Sequence, residues 1–240
     1  MRIQKTSRQP ASSGLLPGHL EDINRLSRAS LSAEEVYVFS LCLCDNEVDR
    51  DQERFPEKTL EQLAPLFVGK SGLFDHSWSA RGQAARLYRT EVVREPERLT
   101  QAGDGYCWLK AWAYLLRTEK NADLIAEIEG GIKREVSVGC SVARRVCSIC
   151  GAEGGTCQHT PGQRYGEQLC YLELRDPTDA YEWSFVAVPA QRKAGVLKRY
   201  GHENQGMAQL RAQAARRFPP VPQLRSRGAA KTEDETEFLI

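Results

Sequence analysis

The first firm element along the chain is the run VYVFSLCLC (residues 36–44), apolar, β-branched and aromatic, and of strand length. A charged turn, DNEVDRD (45–51), closes it. Residues 59–67 place Leu60, Leu63 and Leu66 at helical spacing, with Pro65 expected to end that helix early. Segments 83–94 and 105–116 alternate as strands do, the second carrying Tyr106, Trp108, Trp112 and Tyr114. Asn121 stands where an N-cap would open a helix with Leu124, Ile125, Ile128 and Ile132 on its apolar face, and Gly130 and Gly131 would stop it. In 134–142, Val136, Val138, Cys140 and Val142 share one strand face, and Ser137, Gly139 and Ser141 share the other. A last core strand covers 181–188. Trp108, Trp112 and Trp183 are expected in the core. Several strands with few helices predict an α+β fold on a mostly antiparallel sheet.

The polar ends frame this pattern. Residues 1–33 lack periodicity and read as a flexible N-terminal arm. Residues 34–200 read as one domain, and 201–240 as a short helix followed by a charged tail. The 240 residues carry a net charge of +1, which gives no electrostatic case for a nucleic-acid partner. No apolar run approaches the roughly 20 residues that span a bilayer, and the N-terminus has no apolar signal core. A cytoplasmic setting is the expectation, and it changes how the 8 cysteines are read, because thiols at metal spacing then mean metal before disulfide. Cys147 and Cys150 form a CxxC knuckle, followed after six intervening residues by Cys157 and then His159. Cys3His is a closed tetrahedral set suited to structural zinc. Cys170 is a fifth candidate for four places. The zinc insert is expected over 146–171.

Of the 4 histidines, His159 belongs to the knuckle, and His19 and His202 stand in the polar arms. His76, in GLFDHSWS (72–79), is left as the candidate general base. Ser137, on a strand and followed by Gly139, is the candidate nucleophile, with Ser141 and Cys140 as alternatives. Glu182 is the candidate orienting acid, with Asp179 as its alternative. A nucleophilic hydroxyl beside an imidazole held by a carboxylate is the arrangement that acyl transfer requires. The amides of Gly139 and Cys140 are candidate oxyanion donors.

The stretch EVSVG (135–139) resembles the nucleophile strand of the tailed-phage prohead (procapsid) maturation proteases, a family related in fold to herpesvirus assemblin. Asp75-His76 matches that family's upstream histidine motif, and EWSFVAVPA (182–190) matches its downstream E-x-S-[LF]-V-x-x-P-A strand. The resemblance implies a curved antiparallel sheet closing as a β-barrel flanked by helices, with Ser137 as nucleophile, His76 as base and Glu182 as orienting acid. It implies a serine endopeptidase that cleaves scaffold, capsid-protein extensions and itself inside the procapsid of an infected bacterium. A homodimer follows by the same analogy. The Cys-rich insert departs from the simplest members and implies a zinc-containing branch. Its place after the nucleophile strand raises the expectation that it replaces or covers a loop of the site. Two other classes compete: a non-catalytic capsid-assembly component of the same fold, and a zinc module that binds protein or nucleic acid.

Overall fold

The computed structural model describes residues 18–200, and the expected C-terminal helix and tail, with His202, lie outside them. In chain order the elements are α1 (His19–Leu26), β1 (Val36–Asp45), β2 (Glu53–Arg54), α2 (Glu57–Phe67), β3 (Ser71–Phe74), β4 (Ala85–Leu99) and β5 (Gly105–Leu116). There follow α3 (Ala122–Glu129), β6 (Val136–Cys147), β7 (Arg164–Tyr165), β8 (Gln168–Leu169), β9 (Leu172–Phe185) and β10 (Gly195–Tyr200). The main sheet runs β10-β1-β5-β4-β3-β9-β2, with β6 also paired to β9. All of its pairings are antiparallel except β2–β9 and β3–β9. A bridge between Glu135 and Gly195, with Val196 N–H donating to Arg134 O at 2.8 Å, links the start of β6 to β10. The architecture is α+β on a mostly antiparallel sheet.

Every residue of β1 is buried, which accounts for its unbroken apolar run: a strand covered on both faces has no polar side to alternate with. Tyr37, Phe39, Leu41 and Leu43 enter the main core with Leu60, Leu63 and Phe67 of α2 and Trp183 and Phe185 of β9. Val36 and Val38 face the other way, against Ile23 of α1, Tyr88, Trp112 and Tyr114. Residues 19–26 are therefore not part of a loose arm. Helix α1 docks there through His19 and Ile23, and Arg89 and Asp22 form an ion pair at its flank.

His19 is buried with Nδ1 2.6 Å from Tyr88 Oη and its ring edge-on to Trp112. Burial, with Arg89 adding to it and Asp22 opposing it, lowers its pKa from 6.5 to about 4. A histidine depressed in the folded state binds its proton more readily when unfolded. Its contribution is thus fully present above pH 6.5 and is lost as pH falls from 6.5 to about 4. The urea midpoint should fall more steeply across that window in the wild type than in His19→Leu.

One helix boundary and two side-chain placements differ from those the pattern predicts. Pro65 does not end α2 but sits inside its last turn, where the N–H it lacks would have bonded the carbonyl of exposed Glu61. Thr90 Oγ1 donates to the neighbouring Ala64 carbonyl at 2.7 Å. Helix α3 stops at Glu129, and Gly131, at φ 75°, turns the chain so that Ile132 is 72% exposed rather than on the apolar face. Asn121 makes no side-chain cap, and its Nδ2 donates to Leu116 O instead.

Candidate active site and metal centre

Strands β6 and β9 pair from Val136↔Phe185 to Cys147↔Leu172, so they form one long hairpin whose two ends carry different chemistry. At the Val136 end, Ser137 stands opposite Ser184 and Gly139 opposite Glu182. Residues directly opposite in an antiparallel ladder share a face, and that face is turned away from Val136, Trp183 and Phe185 in the core. Strand β3 flanks β9 on its other side, pairing Ser71↔Glu182 and Phe74↔Phe185. The chain leaving β3 then turns back over the face.

That turn carries His76. Asp75 and His76 have φ of 51° and 52°, and Ser77 N–H donates to Phe74 O at 2.9 Å, the pattern of a type I′ turn. Such turns favour glycine or asparagine, so an Asp-His pair holds a backbone that costs energy, as functional sites often do. Asp75 N–H bonds Phe185 O at 3.0 Å and His76 N–H bonds Ser184 Oγ at 3.1 Å, which fix the turn to β9. Asp75→Gly should relieve part of the cost and raise stability by up to about 1 kcal/mol. Differential scanning calorimetry should then show a Tm about 2–4 °C higher.

His76 Nδ1 lies 2.8 Å from Glu182 Oε1. Ser184 Oγ donates to Glu182 Oε2 at 2.6 Å, so both carboxylate oxygens are engaged. The Glu182 side chain is 4% exposed while that of His76 is 42% exposed. A carboxylate held this way makes Nδ1–H the donor and leaves Nε2 as the nitrogen that can take a proton. Gly139 has a definite reason to be glycine: a Cβ there would lie 2.3 Å from Glu182 Oε1. The missing side chain is the space the carboxylate occupies.

The structure therefore joins His76 to Glu182 and sets Ser137 on the same face, one strand across. Among the described residues no hydrogen bond links Ser137 Oγ to the imidazole. Ser141 is engaged with Thr178, their hydroxyls 2.7 Å apart. Asp179 is paired with Lys70 at 3.3 Å and accepts from Ala180 N–H, so it does not serve His76. Cys140 packs against the core, where burial pushes its thiol up to about 11. Ser184 was hidden in the sequence as a motif serine. Its spacing of two from Glu182 on one strand is the signal that both share a face.

Backbone direction sorts the two candidate oxyanion amides. Val136 N–H points out of the hairpin, to Ala194 O, while Glu135 O accepts from Val186 N–H on the β9 side. Alternation along β6 then turns the Gly139 amide into the ladder and the amides of Val138 and Cys140 toward the outer edge. Beside that edge is a cavity of about 290 Å³ lined by Ser137, Cys140, Phe55, Leu174 and Gln191, with Asp49 and Glu53 among its polar groups.

The far end of the hairpin carries the candidate metal centre. Ligand atoms of Cys147, Cys150, Cys157 and His159 all lie within 4.8 Å of one another, and the four could hold a metal ion. Tetrahedral bonds of about 2.3 Å to sulfur place ligands roughly 3.8 Å apart, so the set suits an ion of that kind. His159 Nδ1 is buried and has no hydrogen-bond partner among the described residues, as a nitrogen awaiting a metal would be. Gly151, at φ 72°, closes the knuckle with its N–H on Cys147 O. Burial opposes ionisation of Cys147, yet the Cys150 and Ile149 amides outweigh it and bring the thiol down to about 6. The small β7–β8 hairpin supports the ring of His159, which sits edge-on to Tyr165 at 4.6 Å. Cys170 falls outside that mutual distance but adjoins the cluster: it is buried beside Cys147 and Leu172, and burial together with the Cys147 thiol pushes its own thiol up to about 11.

The ten-residue separation of Ser137 and Cys147 along β6 corresponds to about 33 Å. The insert caps the opposite end of the hairpin, and none of its residues lines the cavity beside Ser137. No helix among the described residues is long and apolar enough to cross a membrane. No family model matches the chain, and neither do any curated protein or any solved structure.

Proposed function

We propose that the chain is a serine endopeptidase of the procapsid-maturation type, cleaving scaffold and capsid-protein extensions and itself. The observation that carries this reading is the His76–Glu182 contact of 2.8 Å, on the face of β9 that also looks onto Ser137. In the proposed reaction the Ser137 hydroxyl adds to the scissile carbonyl and its proton passes to His76 Nε2. Glu182 holds Nδ1–H and stabilises the imidazolium. Collapse of the tetrahedral adduct expels the amine, which takes that proton and leaves an acyl-serine. Water, deprotonated by His76, then releases the acid and restores Ser137. The outward Cys140 amide is the better-placed oxyanion donor. The open edge of β6 offers Val138 backbone groups to an extended substrate.

In the same reading the sheet closes as an assemblin-like barrel through the β6–β10 link, and the Cys3His set is a structural zinc site. A bound zinc would supply tetrahedral crosslinking and no chemistry at Ser137. The missing hydrogen bond from Ser137 to His76 favours a second reading, a capsid-assembly component of the same fold without activity. Co-expression with the cognate capsid protein separates the two. Cleavage by the wild type but not by Ser137→Ala or His76→Ala supports the protease. Capsid binding without cleavage by any of the three supports the assembly component.

A further inference from the structure

Trp78 is 73% exposed and is the most solvent-facing large apolar side chain among the described residues. Its indole lies against Tyr181, ring centroids 5.5 Å apart at 54°, and Tyr181 is itself 42% exposed. Neither position is an accident of a loose loop. Gly139 pairs with Glu182 but Cys140 pairs with Ala180, so Tyr181 is an extra residue bulged out of β9. A bulge lets Ala180 return to the core and re-aims Tyr181 outward. Trp78 stands on a short loop held by Ser79 N–H on Ser77 O and by Arg81 N–H on Ser79 Oγ.

The two rings line a cavity of about 390 Å³ together with buried Leu73, exposed Ala80 and Glu182. Its polar neighbours are already committed. Lys70 pairs with Asp179, Ser71 Oγ donates to Gln83, and Glu182 is engaged by His76 and Ser184. An entering charge would find no free counter-charge, whereas an apolar side chain would cover two exposed aromatic faces. The cavity begins across Glu182 from Gly139, on the β3 side. Two strand spacings of about 4.8 Å separate β6 from β3, a span of at most about three extended residues.

We propose that the Trp78–Tyr181 cavity is a specificity subsite that takes an uncharged apolar side chain of the peptide substrate, one to three residues from the scissile bond. This rests on the reading of Ser137 as nucleophile, but the binding it describes needs no turnover. The test uses full-length Ser137→Ala protein and pools of ten-residue peptides, each fixed as Leu, Phe, Gly, Asp or Lys at one position. A preference for Leu or Phe over Asp of roughly 10–100-fold in Kd is expected at one position, the range a single apolar pocket delivers. Adding Trp78→Ala should reduce it below threefold, and adding Trp78→Phe should keep most of it. Equal binding of all pools, or a preference untouched by Trp78→Ala, would overturn the subsite. Labelling of wild-type Ser137 by a fluorophosphonate is read in parallel. Binding that depends on Trp78 without labelling removes the protease and leaves the subsite; labelling without that dependence does the reverse.

Discussion

Gly139→Ala should abolish self-processing and capsid cleavage while leaving a folded protein. The added methyl group would sit 2.3 Å from Glu182 Oε1, and the carboxylate has little room to retreat because its other oxygen is bonded to buried Ser184. Losing the carboxylate's hold on Nδ1 leaves the imidazole free to adopt the wrong tautomer and orientation. In the well-studied serine-protease triad, such a loss costs about 10⁴-fold in kcat. Overpacking should cost a further 1–3 kcal/mol, roughly, of stability. Single-turnover cleavage and a urea melt measure the two effects separately. An alanine variant that cleaves within tenfold of the wild type would show that Glu182 does not orient His76.

The second large effect is expected at the other end of the hairpin. Removing the metal, by chelation or by Cys147→Ser, should lower stability by about 3–5 kcal/mol. That is less than the full binding energy of a zinc-finger peptide, because the main sheet folds around its own core. The Tm should drop by on the order of 10 °C. Elemental analysis should find one zinc per chain in the wild type and none in the variant. Because Cys147 pairs with Leu172 and Val136 with Phe185, the damage should be graded along the ladder. Hydrogen exchange should accelerate over residues 145–175 and change little at 136–139 and 182–185. Uniform acceleration would mean that the insert holds the whole hairpin in register rather than its end. A Cys147→Ser protein with unchanged Tm would remove the structural role altogether.

Much of the framework was legible because it rests on periodicity. Strand β5 has the limits its alternation predicts, Gly105–Leu116, and β1 differs by one residue at its end. The face that carries Ser137 and Gly139 follows from counting by two, and the thiol knuckle follows from spacing alone. What the sequence hid depends on long-range contact. Helix α1 is amphipathic over only eight residues, and its docking needs the outer face formed by Tyr88, Trp112 and Tyr114. Strand β9 begins at Leu172, before the expected 181, because charged residues such as Glu173, Arg175 and Asp176 line an exposed hairpin arm. Its two bulges, at Thr178 and Tyr181, break the alternation a reader would follow. That His159 joins Cys147, Cys150 and Cys157 within 4.8 Å while Cys170 lies beside the cluster is a matter of distance, which spacing does not encode.

The site has the same division. That His76 and Glu182 meet on the face that carries Ser137 was reachable from residue order together with the family resemblance. Ser184 as the brace of the carboxylate was not, nor was Gly139 as the space it fills. The central claim is that Ser137 is a nucleophile activated by His76 and Glu182. Mass spectrometry of the full-length protein after exposure to a fluorophosphonate tests it most directly. One adduct is expected, on the peptide containing Ser137, strongly reduced in His76→Ala and in Gly139→Ala. No adduct on the folded wild type, or an adduct on Ser141 instead, would contradict it.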